Sequence, residues 1–375
     1  MDSIEPERLT KEVISKRPGG PATVIAIGKA APAMCRGAAA AIGDVTGICV
    51  SDHIEDVPPG VQLLVGDHPI PGPSSFHAGQ VVLEAVSQST GRFIALISGG
   101  GSALCEHPAE GLAPEFLSDV SRVMLDTGAS IGEMNLVRRH LSAIKGGGLR
   151  AAAGRPIETY AISDVCGADP AVIASGPTIP QEPDPQAALV VMARMGIEVP
   201  ASVSRALSKP RMLPDEDAEI MVIADGHTAA QAMVDASGRL DIAAEVAPGW
   251  LTGPVGDALA DFMSDGRPGL RVAAGEPEVE VEGEGSGGRN THAALLAALE
   301  IAGSETLFAA FATDGVDGNS GSAGAIVDGA TVDRGGDPTP SLASSDSATY
   351  LAGTGDLVVT GPTGTNVADL WMRWR

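Results

Sequence analysis

Residues 23–34 read TVIAIGKAAPAM: an aliphatic run over 23–27, a turn at Gly28-Lys29-Ala30, and an alanine-rich, helix-like stretch over 31–42. Extended β-branched residues, then glycine, then good helix formers spell strand, loop and helix. The same grammar returns three times. Residues 93–97 lead into Ser98-Gly99-Gly100-Gly101-Ser102, residues 159–162 into Ser163-Asp164-Val165-Cys166-Gly167, and residues 219–224 into Asp225-Gly226-His227-Thr228. Strands alternating with helices pair in parallel through right-handed crossovers, and ligands gather outside the carboxyl ends of such strands. The expected fold class is therefore α/β with a mostly parallel sheet, and the loops after the strands are where function is expected.

The texture changes after about residue 246. Pro248-Gly249 and Gly253-Pro254 break the chain, and residues 278–282 read EVEVE, an alternation suited to a half-exposed strand. The glycine-rich stretch 283–290 opens a helix over 291–301. Residues 306–312 form an apolar strand that delivers Thr313-Asp314-Gly315-Val316-Asp317-Gly318-Asn319, and 356–360 deliver Gly361-Pro362-Thr363-Gly364-Thr365-Asn366. The expected organisation is an N-terminal α/β domain over 1–247 and a smaller C-terminal α/β domain over 248–375, with a cleft between them and a loop at 335–347. A chain of 375 residues is too long for one ordinary core and comfortable for two.

The charge balance excludes several function classes. Asp plus Glu number 48 against 24 Lys plus Arg, a net charge of −24, and only five cations are lysines, at 11, 16, 29, 145 and 209. Such a field repels nucleic acid and anionic membrane, and 3% aromatic residues leave few platforms for base stacking. No uninterrupted apolar stretch reaches membrane-spanning length, no secretory leader pattern opens the chain, and cytoplasm is the expected compartment. The four cysteines, Cys35, Cys49, Cys105 and Cys166, lie far apart and are expected to be reduced, half-buried small hydrophobes. An anionic ligand would have to be held by a few local cations and backbone amides.

Several segments could do so. In Ser98, Gly99, Gly100, Gly101 and Ser102, three consecutive glycines allow amides to converge on an anion, although a tight turn also favours glycine. Lys29 follows a strand but is not a phosphate-loop lysine, since Thr23 stands where the first glycine is required and Ala30 where the hydroxyl is required. Residues 135–150, NLVRRHLSAIKGGGLR, concentrate cations, Arg138 and Lys145 among them. A helix capped at Gly146 explains part of that pattern but not three consecutive glycines. Gly283–Gly288 matches GxGxxG, but its acidic approach opposes a pyrophosphate, so Arg289 at the start of the next helix is the better anion fork. Asp164 and Asp314 follow apolar strands and could hold Mg²⁺ or accept a proton, while an Asp-Gly turn accounts equally for Asp314 and Asp317. Gly128-Ala-Ser130-Ile-Gly132 spells GxSxG on a helical approach, which rules out a nucleophile elbow. The seven histidines show no metal spacing.

Eight motifs in order, IGKAAPAM (27–34), GDHPIPG (66–72), SGGGSAL (98–104), NLVRRHLSAIKGG (135–147), SDVCGADPAVIASGPT (163–178), GSGGRN (285–290), ATDGVDG (312–318) and TGPTGTN (360–366), resemble those of the class II glycerate kinases. These are D-glycerate 2-kinases with a C-terminal MOFRL domain, once widely labelled hydroxypyruvate reductases. The resemblance implies a Rossmann-like N-terminal domain and phosphorylation of the 2-hydroxyl of D-glycerate, with ATP and Mg²⁺. It implies that Lys29 and Arg289 carry activity; beside it, the residues themselves make Asp164 the expected proton acceptor or metal ligand and Asp314 a further metal candidate. Ser98–Ser102, Arg138, Lys145, Gly287, Gly288, Asn290, Asp314 and Asn366 are the expected substrate- and phosphate-binding set. The expected partners are a small hydroxy acid and a nucleotide, with a homodimer left open and neither nucleic acid nor membrane. Two departures stand out: Thr291-His292 follows GGRN where Gln-Glu is usual, and Ala168 stands where a second aspartate is expected, with Asp169 next to it. The alternatives are a reductase acting on hydroxypyruvate or tartronate semialdehyde, which needs a dinucleotide site, and a non-catalytic small-anion sensor.

Overall fold

The computed structural model of the chain describes every residue except Met1, Cys166, Ala168 and 209–218. The readings of Cys166, Ala168 and Lys209 lie outside the described residues. The chain forms two compact units, one of residues 5–163 and 168–223, the other of 1–4, 164–167 and 224–375.

The first unit holds strands β1 (Ala22–Ile27), β2 (Val45–Ser51), β3 (Val61–Val65), β4 (Arg92–Ile97), β5 (Glu158–Ile162) and β6 (Glu219–Ala224) in the order β3-β2-β1-β4-β5-β6. The pairs from β3 through β5 are all parallel. In the central strands, Val24 to Ile27 and Phe93 to Ile97 are buried along consecutive positions, as a sheet covered on both faces requires. Strand order reverses between β1 and β4. That reversal is the topological switch point at which ligands of open α/β sheets bind, and it aims the loops after Ile27 and Ile97 at one place.

The second unit carries β7 (Ala244–Val246), β8 (Leu270–Gly275), β9 (Leu307–Ala312), β10 (Gly324–Asp328), β11 (Leu357–Val358) and β12 (Asp369–Trp374), in the order β11-β10-β9-β12-β8-β7. The last strand of the chain is central, antiparallel to both β8 and β9, and only β7 and β8 pair in parallel. Phe262, Phe308 and Trp371 form an edge-to-face triangle at 5.7–6.2 Å in its core. This unit begins before residue 248 because β7 pairs with β8 and the Gly226–Gly238 helix packs on both.

Local differences have local causes. Residues 279–282 form no strand, and Glu278 makes a single bridge to Pro254. Pro277 offers no N–H to a ladder, and the alternating glutamates have no neighbouring strand to pair with. Residues 335–347 are not all loop: a short helix, Thr339–Ala343, starts where Asp337 Oδ1 accepts the Thr339 N–H at 3.0 Å. Cys35, Cys49 and Cys105 are free and fully buried rather than half-buried. Ser130 of the GxSxG string is the N-cap of the Ile131–Leu141 helix, in a capping box with Glu133.

Candidate functional site

At the switch point the loops after β1 and β4 are knitted together. Lys29 N donates to Gly99 O at 3.0 Å, Ser98 N to Ile27 O at 3.0 Å, and Ala30 N to the buried Ser98 Oγ at 3.1 Å. Gly28 sits at φ +129°, and a Cβ there would lie 2.2 Å from Ser98 Oγ, so only glycine allows this approach. Gly100 takes φ +81° and caps the one-turn Gly101–Leu104 helix. The amides of Gly99, Gly100, Gly101 and Ser102 donate to no acceptor among the described residues. Lys29 is half-buried beside Gly100 and forms no ion pair among the described residues. An ammonium without an ion pair among the described residues, beside four unspent amides, has the chemistry to take an anion.

Three further groups of the same unit share this field. Burial and then the charge on Lys29 push the His68 imidazole below its ordinary pKa; Arg138 adds to that effect and Asp52 opposes it. Burial also lowers the Arg138 guanidinium, with Glu106 opposing. Asp52 is partly desolvated, but a 2.6 Å hydrogen bond with His53 and the charge on Lys29 hold its carboxyl below the usual range. The charge on Arg138 thus reaches His68, as that on Lys29 does, and it reaches Lys145 as well. Lys145 itself is 1% exposed and paired with the buried Glu106, whose other oxygen accepts from Ser142 Oγ at 2.5 Å. Burial holds the Lys145 ammonium below its ordinary pKa. The helix expected to run to Lys145 ends at Leu141, and the expected binding cation serves the interior.

The three glycines after Lys145 answer to packing. Gly146 N donates to Ser175 O and Gly147 N to Gly176 O, and a Cβ on Gly147, at φ +83°, would meet the Pro180 backbone at 2.7 Å. The segment they receive is unusual. Ala174 (φ 49°), Ser175 (φ 61°) and Gly176 (φ 65°) are left-handed in succession, a conformation that costs non-glycine residues about 1 kcal/mol each. Ser175 Oγ bridges Ser102 Oγ at 2.8 Å and Asn135 Oδ1 at 2.7 Å, so this strained turn holds the end of the glycine loop in place.

In the second unit the Arg289–Glu300 helix starts at Gly288, and its first turn is already served. The buried carboxylate of Asp317 accepts the N–H of Asn290 at 2.9 Å and the N–H and Oγ1 of Thr291 at 2.8 Å. Gly287 N donates to Asn319 Oδ1 and Gly288 N to Thr291 Oγ1. The anion expected on Gly287, Gly288 and Asn290 is therefore replaced by the chain's own aspartate. Asn290 is fully buried, its Oδ1 accepting from Trp371 Nε1 at 3.1 Å.

Arg289 projects from that fixed turn. Its Nε and Nη2 fork onto Asp369 at 2.5 and 3.2 Å, and Nη1 reaches Glu276 at 2.9 Å. Burial opposes its charge, but Asp369 and Glu276 raise its pKa above the ordinary value. Burial lifts Asp369, and burial together with Asp164 and Asp369 lifts Glu276. Asp369 and Trp371 lie two apart on β12 and so on one face of the sheet, which brings the carboxylate to Arg289 and the indole to Asn290. Asp164 accepts from Asn366 Nδ2 at 3.1 Å, and Asn366 is itself set by Ala368 N on its Oδ1 at 3.1 Å. Asp314 Oδ1 accepts from Val316 N at 2.9 Å, the turn bond that its Asp-Gly context suggested. Among the described residues no group of three metal-ligating side chains occurs. Glu106, His68, Asp369 and Glu276 were not singled out from sequence. The one signal for Asp369 was a carboxylate opening an otherwise apolar strand, DLWMRW.

Comparison with known proteins bears on these clusters. Residues 1–208 match the family described as a domain of unknown function (DUF4147), and residues 270–369 match the MOFRL family. D-glycerate 2-kinase of Thermotoga maritima is 34% identical over 99% of this chain and 94% of its own length. Glycerate 2-kinase of Pyrococcus horikoshii is 34% identical over 93% and 86%. A protein of Agrobacterium vitis provisionally named hydroxypyruvate reductase is 37% identical over 98% and 90%. The crystal structure of glycerate kinase from Thermotoga maritima superposes with a TM-score of 0.89 at 32% identity, covering all of this chain and 96% of that one.

Proposed function

The chain belongs to the family of glycerate 2-kinases that carry a MOFRL domain, and from that premise we propose that it transfers the terminal phosphoryl group of ATP to the 2-hydroxyl of D-glycerate, giving 2-phosphoglycerate. The observation that carries this reading is the half-buried Lys29, without an ion pair among the described residues, beside the unspent amides of Gly99 to Ser102. Phosphoryl transfer asks a protein mainly for positioning and charge neutralisation, and an ammonium beside converging amides supplies both.

Lys29 and the glycine loop take anionic oxygens, and Arg138 adds a second cation to the same field. Arg289, held in one orientation by Asp369 and Glu276, presents a fixed guanidinium to a phosphate or carboxylate. Asp164 accepts the proton released by the 2-hydroxyl. The oxygen donors fit Mg²⁺, which binds through one or two carboxylates together with substrate phosphates and water. Asp164 and Asp314 would hold it, and the ion would supply neutralisation of the phosphate charge. Nucleotide, cytoplasmic setting and the absence of a nucleic-acid partner belong to the same proposal. Among the described residues no helix is long and apolar enough to cross a membrane.

The reductase alternative has less support. The turn after β1 reads Gly28-Lys29-Ala30 in place of a glycine-rich dinucleotide fingerprint, and no strand leads into Gly283–Gly288. The deciding experiment is ADP release from ATP across D-glycerate, L-glycerate, tartrate and erythronate, with phosphorus NMR of the product. Turnover with D-glycerate and a 2-phosphoester product is expected. NADH oxidation with hydroxypyruvate and no ADP release would overturn the proposal.

A further inference from the structure

The first unit holds a second concentration of positive charge, at the opposite end of its sheet. A cavity of about 380 Å³ is lined by Arg92, Phe93, Arg150, Arg155 and Glu158, among others. Arg92 and Glu158 are the first residues of β4 and β5, so the cavity lies at the amino ends of the strands. At roughly 3.3 Å per residue, about 20 Å of extended chain separates Arg92 from the loop at Ser98.

Three arginines and one carboxylate line it, in a protein of net charge −24. Arg92 consumes that carboxylate, its Nε and Nη2 forking onto Glu158 at 2.7 and 2.9 Å. Arg155 reaches neutral acceptors, Ser89 O and Oγ, and lies over the Phe93 ring at 5.2 Å. Its Nε is buried without a hydrogen-bond partner among the described residues. Arg150 is 3% exposed. Arg155 also neutralises the carboxyl end of the Pro73–Gln88 helix, which Ser89 caps; that role accounts for its hydrogen bonds but not for a cavity walled by two more arginines.

We infer that this cavity binds a small phosphorylated metabolite, at a site separate from that of phosphoryl transfer. Guanidinium groups favour phosphate through paired N–H donors. The volume exceeds that of a bare ion and falls in the range of small-molecule sites, and Phe93, Pro156 and Ile157 give a carbon skeleton an apolar wall. No residue of the proposed reaction lines it.

Calorimetric titration with inorganic pyrophosphate at fixed ionic strength tests the inference, using full-length Lys29→Ala protein as the background that silences the glycine-loop site. One pyrophosphate is expected to bind, and adding Arg155→Gln should weaken it at least tenfold while circular dichroism stays native. In the otherwise natural chain, Arg155→Gln should leave turnover without added anion unchanged. No binding in the background, or equal binding by a folded double variant, overturns the site. Should Arg155→Gln fail to fold, phenylglyoxal modification of the natural chain decides: pyrophosphate slows modification of Arg155 if the site exists, and an unchanged rate overturns it.

Discussion

Arg289 and Asp369, 80 residues apart, form a forked ion pair in which the carboxylate is wholly buried and the guanidinium is about one-third exposed. The asymmetry sets the outcome of substitution. Arg289→Ala strands a buried carboxylate and should cost roughly 3 kcal/mol of stability besides its activity. Arg289→Lys keeps the charge but cannot fork, and should fold while losing about 100-fold in kcat. Urea unfolding and steady-state kinetics on both variants check this. A fully stable, fully active Arg289→Lys protein would count against a positioned guanidinium.

Lys29 makes the opposite case. Without an ion pair among the described residues, its removal strands no partner, so Lys29→Ala should shift stability by less than about 0.5 kcal/mol. The same change should lower kcat/KM by about 100- to 1,000-fold, the usual effect of losing one transition-state donor. Turnover near the natural level would remove the centre of the proposed mechanism.

His68 reports on this field by its titration. Burial and the charges on Lys29 and Arg138 depress its pKa, so Lys29→Ala and Arg138→Ala should each raise it, as read by NMR of the imidazole. The sign for stability follows from the depressed value. Above the unfolded-state pKa of about 6.5 the neutral ring is accommodated in full, and that contribution is lost as pH falls through the lower folded-state value. The urea midpoint should fall between pH 7 and pH 5, and His68→Gln should flatten that part of the profile. An unchanged slope in the variant would show that His68 does not carry it.

Glu106 and Lys145 test whether a cation in a promising motif serves the ligand or the fold. Glu106→Gln leaves a buried ammonium short of its counter-charge and should cost about 3–5 kcal/mol. Lys145→Met with Glu106→Gln should recover a good part of that loss and retain kcat per folded molecule. A double variant that folds but does not turn over would return Lys145 to the chemistry.

The sheet order explains which parts of this arrangement could be read from sequence. Lys29 and the glycine loop each stand next to a strand, and a parallel sheet whose order reverses between those two strands brings them together. Contiguous motifs therefore sufficed. Arg138 and Lys145 share one basic segment, yet only Lys145 forms an ion pair with the buried Glu106, more than 30 residues earlier, and no contiguous motif could show that pairing. Asp317 was read as an Asp-Gly turn, and its carbonyl does accept Ser320 N at 3.1 Å, but the motif could not show that its carboxylate also caps a helix that begins 28 residues before it. The EVEVE alternation had the period of a strand but no neighbour to pair with, and periodicity cannot report a missing neighbour.

Asp164 follows β5 in the chain, yet residues 164–167 belong to the unit formed otherwise by the chain's two ends. The covalent path enters that unit, leaves it and returns, so no single cut separates two autonomous pieces. A fragment starting at residue 224 would contain Arg289, Asp369 and Asn366 but would lack the carboxylate that Asn366 holds, and no linker between two independently expressed halves could be placed without severing that loop from its unit. Engineers who wish to graft or exchange the C-terminal portion must therefore carry residues 1–4 and 164–167 along with it.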